Sequence, residues 1–216
     1  ASDPMLLGWY YVQRQAYDDA RRWFSMAAER EPTAEAARGL ALSLIGLRRF
    51  AEAEAAMRPY SSESTQSRSV YLAAAANLLA IEPPVSLPQE VLARIVQEVA
   101  TGRDAATAEQ LGWYSYALNQ FQTAGQWFTT SLEWRPDGEL AAFGLALTRQ
   151  RLGDAAGLRA IQQQWAGRSE RIANIGRDWR GAARQATTTP PAPVQTMQPV
   201  PLQPIAQALP QQALPQ

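Results

Sequence analysis

Apolar residues recur at three- and four-residue intervals along most of this chain, in stretches separated by short polar, glycine or proline breaks. This spacing places the apolar side chains on one face of an α-helix, so residues 4 to about 186 are predicted to form consecutive helices. Asp3-Pro4 is a suitable start, because aspartate caps a helix and proline fits its first turn. The predicted helices cover residues 4–14, 17–29, 34–47, 50–58, 70–82, 88–100, two helices within 105–134, 138–151, 154–165 and 169–186.

Two stretches of the chain resemble each other at a distance of 104 residues, and farther along at 105 residues, so one residue is inserted after Pro136. Such internal similarity indicates a repeat architecture, in which each unit buries its apolar face against its neighbours. The small residues allow helices to approach closely, and the phenylalanine is expected to fill the space between neighbouring pairs. The matched positions include Gly8 and Gly112, Ala20 and Ala124, Phe24 and Phe128, Pro32 and Pro136, and Gly39 and Gly144.

Residues 187–216 differ in kind from the rest, with eight prolines, many glutamines and no charged side chain. Proline at this density excludes helix interiors and favours an extended polyproline II conformation. One interpretation is a flexible linker. The other is an extended peptide that docks through apolar side chains, which are Leu202, Ile205, Leu209 and Leu214. The sequence therefore divides into a helical part, residues 1–186, and a Pro/Gln-rich tail, residues 187–216.

The composition argues against most enzyme classes, because cysteine, histidine and lysine are absent and all 20 cationic side chains are arginine. Without a thiol, imidazole or lysine amine, cysteine and Ser–His–Asp nucleophilic schemes are excluded, as are most zinc sites and the lysine of a phosphate-binding loop. We expect no catalytic residue, no cofactor and no metal. A carboxylate-dependent hydrolase is an alternative, but its candidate acids, Asp18, Asp19, Glu52 and Glu54, are predicted to lie on exposed helix surfaces.

The net charge is zero, so general attraction to nucleic acid is not expected. The longest strongly apolar stretch, residues 70–81, is too short to cross a bilayer, and we expect no transmembrane segment. The chain begins Ala1-Ser2-Asp3-Pro4 without a methionine. This start is expected either for a mature form after signal cleavage or for a piece of a longer protein.

Leu-Gly-x-x-Tyr in one helix, with Ala-x-x-x-Phe-x-x-Ala and then proline in the next, resembles the tetratricopeptide repeat. The resemblance covers residues 4–165 and is strongest at residues 7–32 and 111–136. It implies an all-α fold, namely a right-handed superhelical solenoid of about five helix pairs. A capping helix at residues 169–186 and the extended Pro/Gln-rich tail would complete the chain.

In tetratricopeptide proteins the first helix of each pair lines a concave groove that receives a partner peptide. The resemblance assigns Trp9 and Trp113 the same repeat position in this groove, where they either bind a partner or pack against the next repeat. A guanidinium in the groove would suit a partner carboxylate. The implied groove residues are Trp9, Val12, Gln13, Arg38, Leu42, Asn77, Trp113, Tyr116, Leu147 and Arg151.

A second aromatic pair, Trp23 and Trp127, is again 104 residues apart and next to the matched phenylalanines. We expect these side chains on the convex face, where exposed tryptophan would indicate an assembly contact. Partial burial under a neighbouring helix is the alternative. The Pro/Gln-rich tail is a candidate to lie across such aromatics, in the same molecule or in another copy.

The resemblance implies a non-catalytic protein–protein interaction scaffold whose partners are proteins, with no role for nucleic acid. Bacterial proteins of this type organise multiprotein assemblies in the cell envelope, in secretion, pilus assembly or exopolysaccharide export. A periplasmic or envelope-associated location is therefore expected. The alternative is a cytoplasmic adaptor or regulatory module that binds a short peptide. The family's lysine-rich clamp for a C-terminal carboxylate has no counterpart here, because the chain has no lysine.

Overall fold

The computed structural model describes residues 3–176, and within that range it is all-helical, with no β-strand. A single-turn 3-10 helix, Arg58–Tyr60, follows the fourth α-helix. The predicted all-α class is confirmed for this part of the chain. The α-helices are α1 Pro4–Gln13, α2 Tyr17–Arg30, α3 Ala34–Gly46, α4 Phe50–Met57, α5 Thr65–Leu79, α6 Gln89–Gly102, α7 Ala105–Ala117, α8 Phe121–Trp134, α9 Glu139–Arg151, α10 Ala155–Gln164 and α11 Glu170–Asn174.

The helix starts follow local capping chemistry. The Asp3 carboxylate accepts a hydrogen bond of 2.9 Å from the backbone N–H of Met5, which confirms the predicted start of α1. Helix α5 begins at Thr65, five residues before the predicted start, because the Ser64 hydroxyl accepts a hydrogen bond of 3.0 Å from the backbone N–H of Ser67. The polar residues that precede the predicted start at residue 70 thus partly form the first turn of α5, and they are not only a break between helices.

The last described helix is shorter than expected. We predicted a helix over residues 169–186, but α11 ends at Asn174. Ile175 is extended, and Gly176 has a φ of 79°, a left-handed conformation that ends a helix. The rest of the predicted capping helix and the whole tail, including Leu202, Ile205, Leu209 and Leu214, lie outside the described residues.

The helices form two compact units. Unit 1 comprises residues 3–81 and 86–102 and contains α1 to α6, whereas unit 2 comprises residues 82–85 and 103–176 and contains α7 to α11. Within each unit, helices that follow each other in sequence pack together, which is consistent with an α-solenoid. In addition, α1 contacts α3 and α3 contacts α5, while α7 contacts α9, so the first helices of successive pairs lie side by side. The handedness of a superhelix and the tetratricopeptide identity stay predictions.

One turn geometry joins the two helices of a pair at four places in the described chain. The residue at its centre has a positive φ and is Gln15, Arg48, Asn119 or Gly153. In each turn its backbone N–H binds the carbonyl three residues back, and the next N–H binds the carbonyl five residues back. Within each unit the two turns are about 34 residues apart, so the helix pairs recur with this period in the backbone. Helices α5 and α6 are joined by a longer segment, as the irregular sequence around Pro83-Pro84 indicates.

A phenylalanine packed between two glycines sets the distance between neighbouring helix pairs. The Phe24 ring of α2 is fully buried, and a β-carbon added to Gly8 of α1 would lie 2.7 Å from it. A β-carbon on Gly39 of α3 would lie closer still. The predicted role of Phe24 as the filler between pairs is confirmed. Such contacts leave no room for any side chain larger than glycine at these two positions without rearrangement.

Candidate functional site: an aromatic and arginine surface in unit 2

Four aromatic rings lie in a row on the side of unit 2 where α7 and α9 meet. Trp113 and Tyr116 are three residues apart on α7, so they share one helix face, and their ring centroids are 6.0 Å apart. Phe143 of α9 lies 6.3 Å from Trp113. Phe121, the first residue of α8, lies 5.2 Å from Tyr116. All four side chains are half-buried and so present part of their rings to solvent.

Two exposed arginines lie against the rings of this row. The Arg151 guanidinium is 6.0 Å from the ring centroids of both Tyr116 and Phe121, and its Nε donates a hydrogen bond of 3.1 Å to the Tyr116 hydroxyl. The Arg171 guanidinium of α11 lies 4.5 Å from the Phe143 ring centroid. Cations over aromatic faces at exposed sites contribute about 0.5–1 kcal/mol. We call the set Trp113, Tyr116, Phe121, Phe143, Arg151 and Arg171 the aromatic–arginine face.

Buried residues of the core of unit 2 pack against this face. Trp113 packs edge-on against the fully buried Phe128, with centroids 4.9 Å apart and planes at 73°. Phe128 is in turn enclosed by Gly112 and Gly144, because a β-carbon on Gly112 would lie 2.6 Å from its ring and one on Gly144 closer still. The base of the face is therefore a rigid part of the core, whereas its arginines are at the surface.

Of the positions of unit 1 that correspond to this face, Trp9 and Val12 are buried and the others are half-buried. Trp9, Val12 and Leu42 are exposed by only 8%, 3% and 2%, so these three predicted groove residues offer a partner almost no surface. Trp9 instead packs edge-on against Phe24 at 4.9 Å, and its indole nitrogen is buried without a hydrogen-bond partner. The alternative interpretation of Trp9, packing inside the repeat array, describes its observed position.

The other predicted residues are dispersed. Asn77 is 4% exposed, and its Nδ2 donates a hydrogen bond of 2.8 Å to the carbonyl of Ala73, so its amide serves its own helix rather than a groove. Gln13 is exposed, whereas Arg38 and Leu147 are half-buried. Of the predicted groove set, Tyr116 contacts both Trp113 and Arg151. Phe121, Phe143 and Arg171 were not predicted as site residues, although the helical periodicity of α9 offered a signal for Phe143.

The predicted convex-face tryptophans, Trp23 and Trp127, are both half-buried. This matches the alternative of partial burial better than that of a freely exposed assembly contact. On the same helix as Trp127, an open cavity of about 570 Å³ lies between α8 and α9. It is lined by Gln122, Gly125, Gln126, Thr129, Thr130, Arg149 and Leu152.

The acidic residues proposed for a hydrolase are engaged in other ways. Asp18 is exposed, and Asp19 and Glu52 form pairs with arginines on the helix surface. Glu54 was expected to be exposed, but the structure buries it, with only 4% of its surface exposed. Its carboxylate accepts a hydrogen bond of 3.0 Å from the Tyr71 hydroxyl. Burial and the adjacent carboxylate raise the pKa of Tyr71 above its usual range. The sequence prediction missed this burial because it depends on α5.

Two arginines complete the buried carboxylate contacts. In unit 1, the Arg94 Nε lies 3.6 Å from Glu54 Oε1. In unit 2, Arg135 Nη2 lies 3.2 Å from Oε2 of the buried Glu109. Burial raises the pKa of Glu109, and the Arg135 charge opposes that rise. Each carboxylate thus connects different helices of its own unit, an arrangement that suits a structural role.

Among residues 3–176, no group of three or more acidic side chains is placed to hold a metal ion. In the same range, no helix combines the length and apolar character needed to span a membrane. Compared with models of known protein families and with curated protein sequences, the chain has no match.

Proposed function

We propose that this protein is a non-catalytic scaffold that binds protein partners, and that the aromatic–arginine face of unit 2 is one of its binding surfaces. The observation that carries the proposal is the row of half-buried rings with exposed arginines at Tyr116 and Phe143. Aromatic side chains and arginine are the residue types that contribute most to protein–protein interfaces. No comparable row is formed by the matching residues of unit 1, whose Trp9 and Val12 are buried.

The position of the face within the helix pairs supports the same proposal. It is built on α7 and α9, the first helices of two successive pairs. These are the helices that line the peptide-binding groove in the tetratricopeptide proteins that the chain resembles. The proposed partner is an extended peptide segment, because rings 5.2 Å and 6.0 Å apart offer a line of shallow contacts rather than one deep pocket.

We further propose that the scaffold serves a multiprotein assembly of the bacterial cell envelope, in secretion, pilus assembly or exopolysaccharide export. This setting is supported by the tetratricopeptide resemblance and by the Pro/Gln-rich tail, which suits a connection between a helical part and a further domain. Fusion of the full-length gene to a reporter enzyme that is active only in the periplasm tests the location. Reporter activity supports the proposal, and its absence with a stable fusion favours the cytoplasmic adaptor.

Substitution of the two arginines tests the binding surface. The full chain and its Arg151→Ala/Arg171→Ala variant are used to recover partners from the organism that encodes the protein, and the affinity of each purified partner is then measured. The control is Arg22→Ala/Arg49→Ala, which removes two exposed arginines of unit 1 and the same charge. We expect at least about a tenfold loss of affinity, about 1.4 kcal/mol, only in the first variant. Equal affinities in all three proteins would contradict the proposal.

A further inference from the structure

The described chain ends beside the aromatic–arginine face. Helix α11 is attached to unit 2 by the fully buried Ile172 and by Arg171, which lies over Phe143. The Gln162 side chain donates hydrogen bonds to the carbonyls of this segment, including one of 3.0 Å to Ile175. A β-carbon on Gly176 would lie 3.7 Å from the side-chain nitrogen of Gln150, the neighbour of Arg151 in sequence. The described chain therefore ends against α9, one of the helices that form the face.

The length of chain beyond Gly176 is sufficient to reach and follow the face. The first proline of the tail is Pro190. An extended chain spans about 3.3 Å per residue, so the residues between Gly176 and Pro190 can cover about 45 Å. The 13-residue helix α9 is only about 20 Å long, at about 1.5 Å per residue. Reach therefore does not limit contact between the tail and any part of the face.

The chemistry of the tail is complementary to that of the face. Residues 187–216 carry eight prolines and no charge, so they bring no acidic group to compete for the arginines and no basic group to repel them. Proline-rich segments in the polyproline II conformation bind aromatic-lined grooves, and their backbone carbonyls have no internal hydrogen-bond donors. The Tyr116 hydroxyl and the two arginines of the face can donate hydrogen bonds to these carbonyls.

The row of rings offers an extended chain more than one contact. The centroids of Trp113 and Tyr116 are 6.0 Å apart, and those of Tyr116 and Phe121 are 5.2 Å apart. A polyproline II chain has three residues per turn and rises about 3.1 Å per residue, so residues on one face of the chain recur about every 9 Å. A single extended segment is therefore long enough to contact more than one ring of the row.

We propose that the Pro/Gln-rich tail, residues 187–216, binds the aromatic–arginine face of its own molecule and competes there with protein partners. The tail would then regulate access to the surface named under the proposed function. The inference concerns the same surface as that proposal, but its test requires no partner. If the tail does not bind, the face can still bind protein partners. If partners do not bind the face, the tail can still do so.

Photo-crosslinking in the purified full chain tests the proposal. Arg151→p-benzoylphenylalanine places a crosslinker on the face, and Gln13→p-benzoylphenylalanine places one at an exposed position of α1 in unit 1 as the control. A mixture of isotope-labelled and unlabelled protein separates crosslinks within one molecule from those between molecules. We expect crosslinks from position 151 to residues 187–216 within one molecule, and at least about tenfold fewer from position 13. No crosslink to the tail, equal yields from both positions, or crosslinks only between molecules would overturn the proposal.

A second measurement separates specific binding from proximity. In the full chain, Leu202, Ile205, Leu209 and Leu214 are replaced together by serine, which leaves the prolines and the length of the tail unchanged. Fluorotryptophan labelling, with the Trp113 signal assigned from Trp113→Phe, reports the environment of the face by nuclear magnetic resonance. We expect the serine variant to shift the Trp113 signal to its position in a chain that ends at residue 186, and to lower the crosslink yield about tenfold. An unshifted signal with an unchanged yield would overturn the proposal.

Discussion

Unit 1 and unit 2 contain the same core arrangement with different surfaces. In each, a fully buried phenylalanine, Phe24 or Phe128, lies between two glycines of neighbouring helices. A tryptophan 104 residues from its counterpart packs edge-on against each ring at 4.9 Å, with interplanar angles of 74° for Trp9 and 73° for Trp113. The internal sequence repeat is therefore also a repeat of side-chain geometry.

The surfaces differ because a few neighbouring positions differ. Tyr116 in unit 2 corresponds to Val12 in unit 1, and Phe143 corresponds to Arg38. The smaller Val12 is buried beside Trp9, whereas Tyr116 extends the aromatic row towards Phe121. The close packing of phenylalanine against glycine constrains the core, while the positions around it vary without altering the helix arrangement. At these positions unit 1 buries Trp9 and Val12, whereas unit 2 carries a row of half-buried rings.

The C-terminal ends of α3 and α9 show the same contrast. Arg151 corresponds to Gly46, where a β-carbon would lie 2.5 Å from the ring of Tyr17. In unit 1 that helix end is closed by an aromatic ring packed on glycine, which leaves no room for a side chain. In unit 2 the corresponding position carries an exposed arginine that binds the Tyr116 hydroxyl.

The largest expected effect comes from removal of the central rings. Phe24→Ala and Phe128→Ala each leave a cavity between two helix pairs, and we expect each to lower the free energy of unfolding by about 3–5 kcal/mol. Hydrogen exchange should locate the loss in unit 1 for Phe24→Ala and in unit 2 for Phe128→Ala. Loss of protection in the same helices for both variants would show that the two rings do not serve equivalent, separate cores.

Added side chains at the glycines should have a smaller effect. Gly39→Ala and Gly144→Ala introduce a β-carbon into the phenylalanine ring, and we expect each to destabilise the protein by about 1–3 kcal/mol in urea unfolding. Gly125→Ala is the control, because its β-carbon would meet Thr148 at 3.4 Å and Leu145 at 3.9 Å, without the overlap seen at the other two glycines. Alanine is favoured over glycine in helices by about 1 kcal/mol, so the control should be neutral or stabilising. Equal destabilisation by all three would contradict the close-packing argument.

A smaller, pH-dependent effect separates the units, because Glu109 of unit 2 corresponds to Met5 in unit 1. Burial raises the pKa of Glu109, so the folded state binds its proton more tightly than the unfolded state does. Its contribution to stability is therefore fully present below the unfolded pKa and is lost as the pH rises through the folded pKa. We expect Glu109→Gln to remove that loss and to flatten the fall of unfolding free energy with rising pH, measured by urea unfolding at a series of pH values.

The control for this titration is Glu52→Gln, an exposed carboxylate of unit 1 that pairs with Arg49 on the surface. We expect its pH profile to follow that of the unaltered protein closely, because an exposed pair contributes little. A profile for Glu109→Gln that coincides with that of Glu52→Gln would contradict the role assigned to burial.

The smallest expected change is that of Arg151→Ala. Its guanidinium is exposed, and the Tyr116 hydroxyl it binds can be hydrated instead, so we expect a loss of less than about 1 kcal/mol in unfolding free energy. The same measurement on Arg22→Ala should give a similar small value. A loss of several kcal/mol would show that Arg151 is part of the core, and the contrast drawn between the two surfaces would fail.

Part of the candidate site was predictable from the sequence. The repeat position of Trp113, Tyr116 and Arg151 indicated one helix face, and the structure brings these residues into contact. Arg171 was not predictable as a neighbour of Phe143, because the contact depends on how α11 returns to α9. The same sequence reasoning gave Trp9 and Trp113 the same repeat position and left partner binding or packing open for both, and the structure buries Trp9 and leaves Trp113 half-buried.

The sequence by itself determined the helical class, the two-fold repetition and most helix boundaries to within a few residues, apart from the start of α5 and the end of α11. These properties are local or periodic: the cap at Asp3, the apolar spacing and the glycine–phenylalanine matches are all present in the order of residues. Only the tertiary structure decided that Trp9 is buried whereas the equivalent Trp113 is half-buried. Burial depends on what neighbouring helices place over a side chain, as Tyr71 of α5 does for Glu54 and the core of unit 1 does for Trp9.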